Sequence, residues 1–165
     1  MGETQMYLLA WIVFFPLAGA GVTYLAGRAD KRFRDHMACA VTVTEFLMTL
    51  VVLITMRDQT AGVEISGICQ MGLKFETDGF RAVYGTVAAF MWMMTTLFST
   101  EYFRHYRNRN RYYLFMILTL GATEGILFSA DLYTTFIFFE MMSFTSYVWV
   151  AQDERKESLR AAETY

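Results

Sequence analysis

Three glutamates stand inside long apolar stretches of this sequence of 165 residues, and their side chains are the ones best suited to chemistry. Glu45, Glu124 and Glu140 are each the one charged residue of a stretch of about 20 residues, the length of a membrane-spanning helix. At membrane depth an ionised side chain costs on the order of 2.5–3.5 kcal/mol, so such a residue indicates a functional or a paired role. A carboxyl group in that setting can take up and release a proton. These positions therefore predict proton exchange.

Glu140 has hydroxyl groups on its own side of a helix. Tyr133, Ser143 and Tyr147 fall seven positions before it, three after it and seven after it, which places them on one helical face. Phenylalanines interrupt this set, so the polar face is broken. Hydroxyls beside a carboxyl group can hold water and relay protons, which gives Glu140 a place on a proton path. The alternative is a protonated structural glutamate bonded to a neighbouring hydroxyl, and for all three glutamates both interpretations stay open.

Glu45 lies in the middle of its apolar stretch and has two threonines beside it. Thr42 and Thr49 share its helical face, at three positions before it and four after it. This spacing predicts a mildly polar stripe around the carboxyl group. It makes Glu45 a second candidate for the proton path.

The stretches that carry Glu124 and Glu140 are joined by almost no loop, so they predict an antiparallel helical hairpin. Gly121 and Gly125 bracket Glu124, and glycines four positions apart allow close contact with a neighbouring helix. Ordinary helix packing is the main expectation for this pair. If the inner faces of the hairpin meet, Glu124 and Glu140 lie within a water or two of each other, which makes Glu124 the third candidate.

Five apolar stretches supply the helices that must position these acids. Hydrophobic residues make up 55% of the chain and charged residues 18%. The stretches long enough to span a membrane are residues 4–27, 37–56, 82–100, 112–130 and 132–152. The sequence therefore predicts an all-α polytopic membrane protein with a five-helix bundle over residues 1–150. Residues 151–165 are expected to form a charged cytoplasmic tail or the start of a truncated sixth helix.

The basic residues gather in alternate loops, and this distribution predicts the orientation. One side of a five-span arrangement holds Arg28, Lys31, Arg32, Arg34, Arg104, Arg107, Arg109, Arg111, Arg155, Lys156 and Arg160. The other side holds only Arg57, Lys74 and Arg81. Because cytoplasmic loops carry the excess of lysine and arginine, the N-terminus is expected outside and the C-terminus inside, in a bacterial or archaeal cytoplasmic membrane. The net charge of −2 gives no reason to expect a nucleic-acid partner.

The loop between the second and third apolar stretches differs in kind from the others. Residues 63–66 and 73–76 alternate apolar and polar side chains, which is typical of strands. Gly67 and Gly72 lie between these two runs. The pattern predicts a short β-hairpin in the outer loop, with a structural role of bracing neighbouring helices.

Cysteine and histidine give no sign of a metal site or a cofactor. Cys39 and Cys69 are poorly placed to pair, and His36 and His105 stand among basic residues, where a solvated surface role is expected. No phosphate-binding loop and no nucleophile constellation is present. The chain itself is therefore expected to have no catalytic residues, no cofactor and no redox chemistry.

A set of short motifs resembles one family of membrane proteins. The matching runs are Ser129-Ala130-Asp131-Leu132, Phe138-Phe139-Glu140, Ser146-Tyr147, Asp78-Gly79, Ser99-x-x-Tyr102 and Ala161-Ala162-x-x-Tyr165. In this order, over about residues 6–165, they resemble the antiporter-like proton-conducting subunits. That family comprises the large membrane subunits of respiratory complex I, their relatives in membrane-bound hydrogenases, and the Mrp-type cation/proton antiporters.

The resemblance implies a protein larger than this chain. Members of the family have about fourteen helices with two inverted five-helix repeats, and the glutamate that matches Glu140 pairs with a lysine on a later helix. This chain stops where the sixth helix would begin, so it resembles the N-terminal portion only and is expected to be a truncated or split gene product. Its expected partners are the missing C-terminal helices, other membrane subunits, the lipid bilayer, and protons or sodium ions. Glu45 and Glu124 match no motif of the family.

Three hypotheses follow. The first is the N-terminal portion of a proton or cation/proton translocating subunit in a multi-subunit complex, one form of which is a redox-driven oxidoreductase. The second is a non-catalytic scaffold or assembly subunit whose glutamates make structural hydrogen bonds between helices. The third, a channel formed by oligomerisation, needs a continuous polar helix face, and the sequence offers only a broken one.

Overall fold

The computed structural model describes residues 3–55, 60–67, 72–103, 109–151 and 156–164, and side chains from residue 7 onward. The elements in chain order are α1 (Glu3–Ala29), α2 (Lys31–Thr55), β1 (Ala61–Ile65), β2 (Leu73–Thr77), α3 (Gly79–Tyr102), α4 (Arg109–Leu127), α5 (Leu132–Val150) and α6 (Lys156–Thr164). The predicted mostly helical fold with one small β-hairpin is confirmed.

Within the described part of the chain, three helices are long and apolar enough to cross a membrane. They are α1 from Tyr7 to Ala29, α2 and α3. Helices α4 and α5 have 19 residues each. Membrane crossing by these two helices, and the orientation of the whole bundle, stay predictions.

Helix α4 lies at the centre of the bundle. It packs against α1 on one side and α5 on another, while α2 lies between α1 and α3. Eleven residues of α4 are buried, including Tyr113, Met116, Ile117 and Leu120. Close packing on several sides explains why α4 is the helix that carries two glycines four positions apart.

The connection between α1 and α2 is shorter than the charge pattern suggested. Helix α1 ends at Ala29 and α2 begins at Lys31, so Asp30 alone separates them. The Asp30 carboxylate accepts a hydrogen bond from the backbone N–H of Arg32 at 2.9 Å. The basic residues that the sequence assigned to a first loop therefore lie in the two helices, as does His36.

The β-hairpin is present and ties three helices together. Strand β1 pairs with β2 in antiparallel register from Ala61 opposite Thr77 to Ile65 opposite Leu73. Gly67 and Gly72 have φ values of 90° and 74°, a region that favours glycine. The ring of Phe75 is buried between Phe14 of α1 and Phe138 of α5. The hairpin thus contacts the helices as the predicted brace requires.

Backbone hydrogen bonds join the hairpin to the turn between α4 and α5. The Glu76 N–H donates to the Phe128 carbonyl at 2.8 Å, and the Ala130 N–H donates to the Lys74 carbonyl at 2.8 Å. The Lys74 N–H donates to the Thr134 hydroxyl at 2.9 Å. Strand β2 therefore fixes the place where α4 turns back into α5.

The C-terminal segment contains a short sixth helix. Helix α6 has nine residues and packs against α5, with Ala162 buried in the contact. Both descriptions of residues 151–165, as a tail or as the start of a longer helix, remain compatible with this geometry.

Candidate functional site

Glu140 lies on the outside of the bundle. Its side chain is exposed, and so are Phe136 and Phe144, one turn before it and one turn after it, at 61% and 65%. The buried residues of α5 are Thr134, Phe138, Thr145 and Ser146, on other sides of the helix. A carboxyl group therefore stands among large apolar side chains on a helix face that no described element covers.

The hydroxyls predicted to support Glu140 follow the same face. Tyr133 and Ser143 are half-buried and Tyr147 is 42% exposed. The Ser143 carbonyl accepts the Ser146 hydroxyl at 3.1 Å, a bond within the helix. The exposed phenylalanines interrupt this polar face as the sequence predicted.

Glu45 and Glu124 are both buried in the interior, beside α3. Both side chains are 0% exposed. Thr49, one turn after Glu45, accepts a hydrogen bond from Thr86 of α3, the residue that follows Gly85. Glu45 comes from α2 and Glu124 from α4, while a Cβ atom placed on Gly85 of α3 would lie 3.0 Å from Glu124 Oε2. Among the residues that the structure describes, no group donates a hydrogen bond to any of the four carboxyl oxygens. Two buried acids thus lie beside the same turn of α3 in a closed, largely apolar interior.

The expectation that Glu124 faces Glu140 is wrong. Glu124 is buried against Gly85 of α3, whereas Glu140 is exposed on α5. Phe138 occupies the inner face of the α4–α5 hairpin, where its ring lies against Gly125. The Phe138 ring therefore lies between α4 and α5.

The threonines near Glu45 do not bond to it. Thr42 donates to the Ala38 carbonyl at 3.1 Å and Thr49 donates to the Phe46 carbonyl at 2.9 Å. Thr86 of α3 donates to the Thr49 carbonyl at 3.1 Å, which links α2 to α3 one turn from the acid. Helical threonine hydroxyls commonly bond to their own backbone, so the predicted polar stripe is present but is not available to the carboxyl group.

The two glycines of α4 pack against two different helices. A Cβ atom on Gly121 would lie 2.6 Å from Leu17 Cδ2 and 3.2 Å from Pro16 Cγ, both in α1. A Cβ atom on Gly125 would overlap the Phe138 ring of α5. The predicted packing role is confirmed, and the pair holds α4 close to both neighbours.

A buried ion cluster joins α2 to α4, and the sequence pattern did not predict it. Asp35 accepts hydrogen bonds from Arg34 at 2.8 Å and from Arg109 at 2.9 Å. The two arginine residues are 3% and 9% exposed. Arg34 also lies over the Tyr113 ring, 5.4 Å from its centroid. The charge pattern of the sequence placed both arginines in loops. Their burial and their hydrogen bonds to Asp35 distinguish them from solvated arginines.

A polar cavity of about 330 Å³ opens beside this cluster. Its lining includes Asp35, His36, Cys39 and Arg109. No three His, Cys, Asp or Glu residues come together as a metal-binding group in the part of the chain that is described. Cys69 and His105 lie outside that part.

The comparison with curated proteins finds relatives among cation/proton antiporter subunits. The putative antiporter subunit mnhD2 of Staphylococcus haemolyticus is 33% identical over 96 residues, which is 57% of this chain and 19% of the relative. A probable K⁺/H⁺ antiporter protein of Rhizobium meliloti is 26% identical over 86% of this chain and 27% of its own length. An Na⁺/H⁺ antiporter protein of Staphylococcus aureus is 23% identical over 96% of this chain and 20% of its own length. The chain therefore spans about a fifth to a quarter of these relatives.

Solved structures share the fold. The Mrp complex from Dietzia sp. DQ12-45-1b superposes on 93% of this chain with a TM-score of 0.76 and 14% identity, and this chain covers 17% of its matched chain. The membrane-bound sulfane sulfur reductase, an archaeal respiratory membrane complex, superposes on 95% of it with a TM-score of 0.75 and 17% identity, over 33% of the matched chain. No family model matches the sequence. The resemblance to the antiporter-like family is confirmed by these relatives and folds, and the chain is an integral membrane protein.

Proposed function

We propose that this chain, a homologue of Mrp-type antiporter subunits, is one part of a cation/proton translocating subunit in which Glu140 takes part in the proton path. Relatives named as K⁺/H⁺ and Na⁺/H⁺ antiporter subunits support the coarse function. The observation that carries the role of Glu140 is its exposure in the middle of α5, on a face that no described element covers. Membrane crossing by five helices, with the N-terminus outside, belongs to the same proposal.

The exposed face of α5 is the surface on which the remainder of the subunit packs. It carries Phe136, Phe144 and Tyr147 around Glu140, all strongly exposed. A lone carboxylate on an apolar face at membrane depth is costly unless a cation or water meets it. A lysine on a later helix, the partner that the resemblance implies, supplies the opposite charge. Proton transfer then consists of Glu140 exchanging its proton with water while that lysine shifts its charge toward or away from it.

The scaffold alternative finds less support. It requires the glutamates to make hydrogen bonds between helices. Glu45 and Glu124 make none with the described residues, and Glu140 is exposed on α5. Contacts between α2, α3 and α4 instead use threonine hydroxyls, backbone carbonyls and the Asp35 cluster.

Replacing Glu140 with glutamine tests the proposal. The change keeps the shape of the side chain and removes its exchangeable proton, so ion transport by the assembled complex should fall by on the order of 100-fold, the scale of a lost proton-transfer group. Transport is measured as cation-driven proton movement in vesicles that contain the complex.

Glu163→Gln is the matched control, because Glu163 is an exposed glutamate on α6, outside the apolar stretches. That variant should transport like the wild type. Both variants should yield the same amount of assembled complex. Unchanged transport in Glu140→Gln would exclude the proposed role and favour the scaffold.

A further inference from the structure

We propose that Glu45 and Glu124 form a single proton-binding unit inside the bundle, separate from Glu140, in which the two carboxyl groups take up and release a proton as a coupled pair. This unit is a second site of proton exchange in the chain, beside Glu140, and its part in transport rests on the proposed function. Its central test reads the carboxyl groups themselves and does not depend on the role of Glu140.

The first support is the enclosure of the pair. Both residues are fully buried, and they lie on α2 and α4, which approach each other beside α3. Gly85 provides the room: any larger residue there would meet Glu124 Oε2 at 3.0 Å and the Phe128 ring at 2.8 Å. The packing of three helices therefore encloses both carboxyl groups beside the same turn of α3.

The second support is the absence of compensating charge near the pair among the described residues. On the five long helices the other charged side chains stand near the helix ends or, for Glu140, on the surface. They are Arg28, Lys31, Arg32, Arg34, Asp35, Arg81, Glu101, Arg109 and Arg111. His36 lies near the start of α2, and the tyrosines that line the core, Tyr112 and Tyr113, lie in the first turns of α4.

Repulsion between two negative charges requires that at least one of the two carboxyl groups carries a proton. Two ionised carboxylates in a low-dielectric interior repel each other and lose their solvation, so they do not both ionise. Loss of the first proton changes the energy of losing the second, which makes the two groups one titrating unit. A metal ion fits this place less well than a proton. Metal sites use four or more ligands, and no third acidic, histidine or cysteine side chain of the described chain joins these two.

The third support is that no hydrogen bond fixes the proton on one oxygen. All four carboxyl oxygens lack a donor among the described residues, and the nearby Thr42 and Thr49 hydroxyls donate to backbone carbonyls. A structural acid would be expected to bond to such a hydroxyl. No described donor therefore holds either carboxyl group in one protonation state.

A polar opening lies close by on the same helix. The cavity of about 330 Å³ at the start of α2 is lined by His36 and Cys39. Cys39 precedes Glu45 by six residues, or about 9 Å of helix rise. Proton exchange between this cavity and the pair therefore requires water to enter the bundle over about that distance.

Infrared difference spectroscopy of the purified complex that contains this chain, recorded between acidic and alkaline buffer, tests the inference. Protonated carboxyl groups absorb in a region of the spectrum with few other protein bands. Glu45→Gln should remove one titrating band and displace the titration of the Glu124 band by at least about one pH unit, and Glu124→Gln should do the reverse. Glu140→Gln should leave both bands in place.

Two results overturn the inference. In one, each glutamine variant removes its own band and leaves the titration of the other band unmoved, which means the acids are independent. In the other, neither band titrates over the pH range in which the complex transports ions, which means both are structural. If Glu140→Gln leaves transport unchanged while the bands still titrate together, the proposed function fails and the coupled pair stands.

Gly85→Ala keeps the test decisive if neither glutamine variant assembles. It retains both carboxyl groups and places a methyl group against Glu124 Oε2, so the bands of the pair should shift. Gly21→Ala is its matched control, because a Cβ atom on Gly21 meets nothing within 4 Å, and it should leave the bands unmoved. Identical spectra for the two alanine variants count against the pair.

Discussion

Asp131 shows how a motif that suggests function can be explained by local structure. It belongs to the run of residues resembling the antiporter-like family, and it is the N-cap of α5, where its carboxylate accepts the Thr134 N–H at 2.8 Å. Asp78 does the same for α3 by accepting the Arg81 N–H at 2.8 Å. Both acids satisfy backbone donors that helix starts leave unpaired. These residues are therefore explained by helix geometry.

Hydrogen bonds from the Thr134 hydroxyl and backbone N–H lower the pKa of the Asp131 carboxyl from its usual value near 3.8. A lowered folded-state pKa adds stability above the unfolded pKa, and this stability is lost as pH falls through the folded-state pKa. We expect Asp131→Ala to lower the stability of the chain in its complex by about 1 kcal/mol at neutral pH. In thermal unfolding, the difference in stability between Asp131→Ala and the wild type should become smaller below pH 3.8.

Asp131→Asn is the matched variant for this prediction. Asparagine caps helices about as well as aspartate but does not titrate, so the variant should match the wild type at neutral pH and show no loss in acid at this position. A gap between wild type and Asp131→Ala that stays constant into acid contradicts the contribution of the charge.

The pairing of Glu45 with Glu124 illustrates what residue types leave open. Each acid was identifiable because it stands alone in an apolar stretch. Their burial beside the same turn of α3 depends on how α2 and α4 are rotated, and the apolar residues on all sides of α4 give no preferred direction to that rotation. The charge pattern therefore indicated which residues carry the chemistry but not which two act together.

At the scale of elements, the packing of α4 on α5 depends on Gly125. Phe138 fills the space above this glycine, and any Cβ atom there overlaps its ring. We expect Gly125→Ala to destabilise the helical hairpin of α4 and α5 by about 1–3 kcal/mol, the usual cost of overpacking. The measurement is the thermal unfolding of the assembled complex.

Two variants separate overlap from the general effect of alanine in a helix. Gly21→Ala adds the same methyl group in open space, so it should be neutral or stabilise by about 0.5–1 kcal/mol. Phe138→Leu in the Gly125→Ala background should restore part of the loss, because the smaller side chain leaves room. Equal effects of the two alanine substitutions would contradict a contact with Phe138.

Trp92 of α3 makes a contact between helices that residue composition does not predict. Its indole N–H donates to the Met116 carbonyl of α4 at 2.9 Å. Its ring also lies 6.4 Å from that of Trp149 in α5. A half-buried tryptophan with its N–H bonded joins three helices, which is the arrangement that indole rings favour.

At the scale of the whole molecule, the orientation follows from charge and can be tested directly. We expect a single cysteine at Asp30, between α1 and α2, to react only from the cytoplasmic side, and one at Glu64, in the hairpin, only from the outside. The measurement is labelling by a membrane-impermeant maleimide in intact cells, with Cys39 and Cys69 replaced by serine. Both positions are exposed, so both should react after the cells are permeabilised. Labelling of Asp30→Cys in intact cells would show that the orientation is the opposite of the predicted one.

The sequence by itself determined the class of protein, the helical stretches, the hairpin and the three acids, because apolar runs and isolated charges are local properties that a membrane constrains strongly. Tertiary structure alone decided that Glu45 and Glu124 are both buried beside α3, that Glu140 is exposed, and that Asp35 holds Arg34 and Arg109 together. These outcomes depend on the rotation and depth of each helix against its neighbours. In a bundle this apolar those are set by close-packed contacts such as Gly125 on Phe138, and single-helix patterns do not encode them.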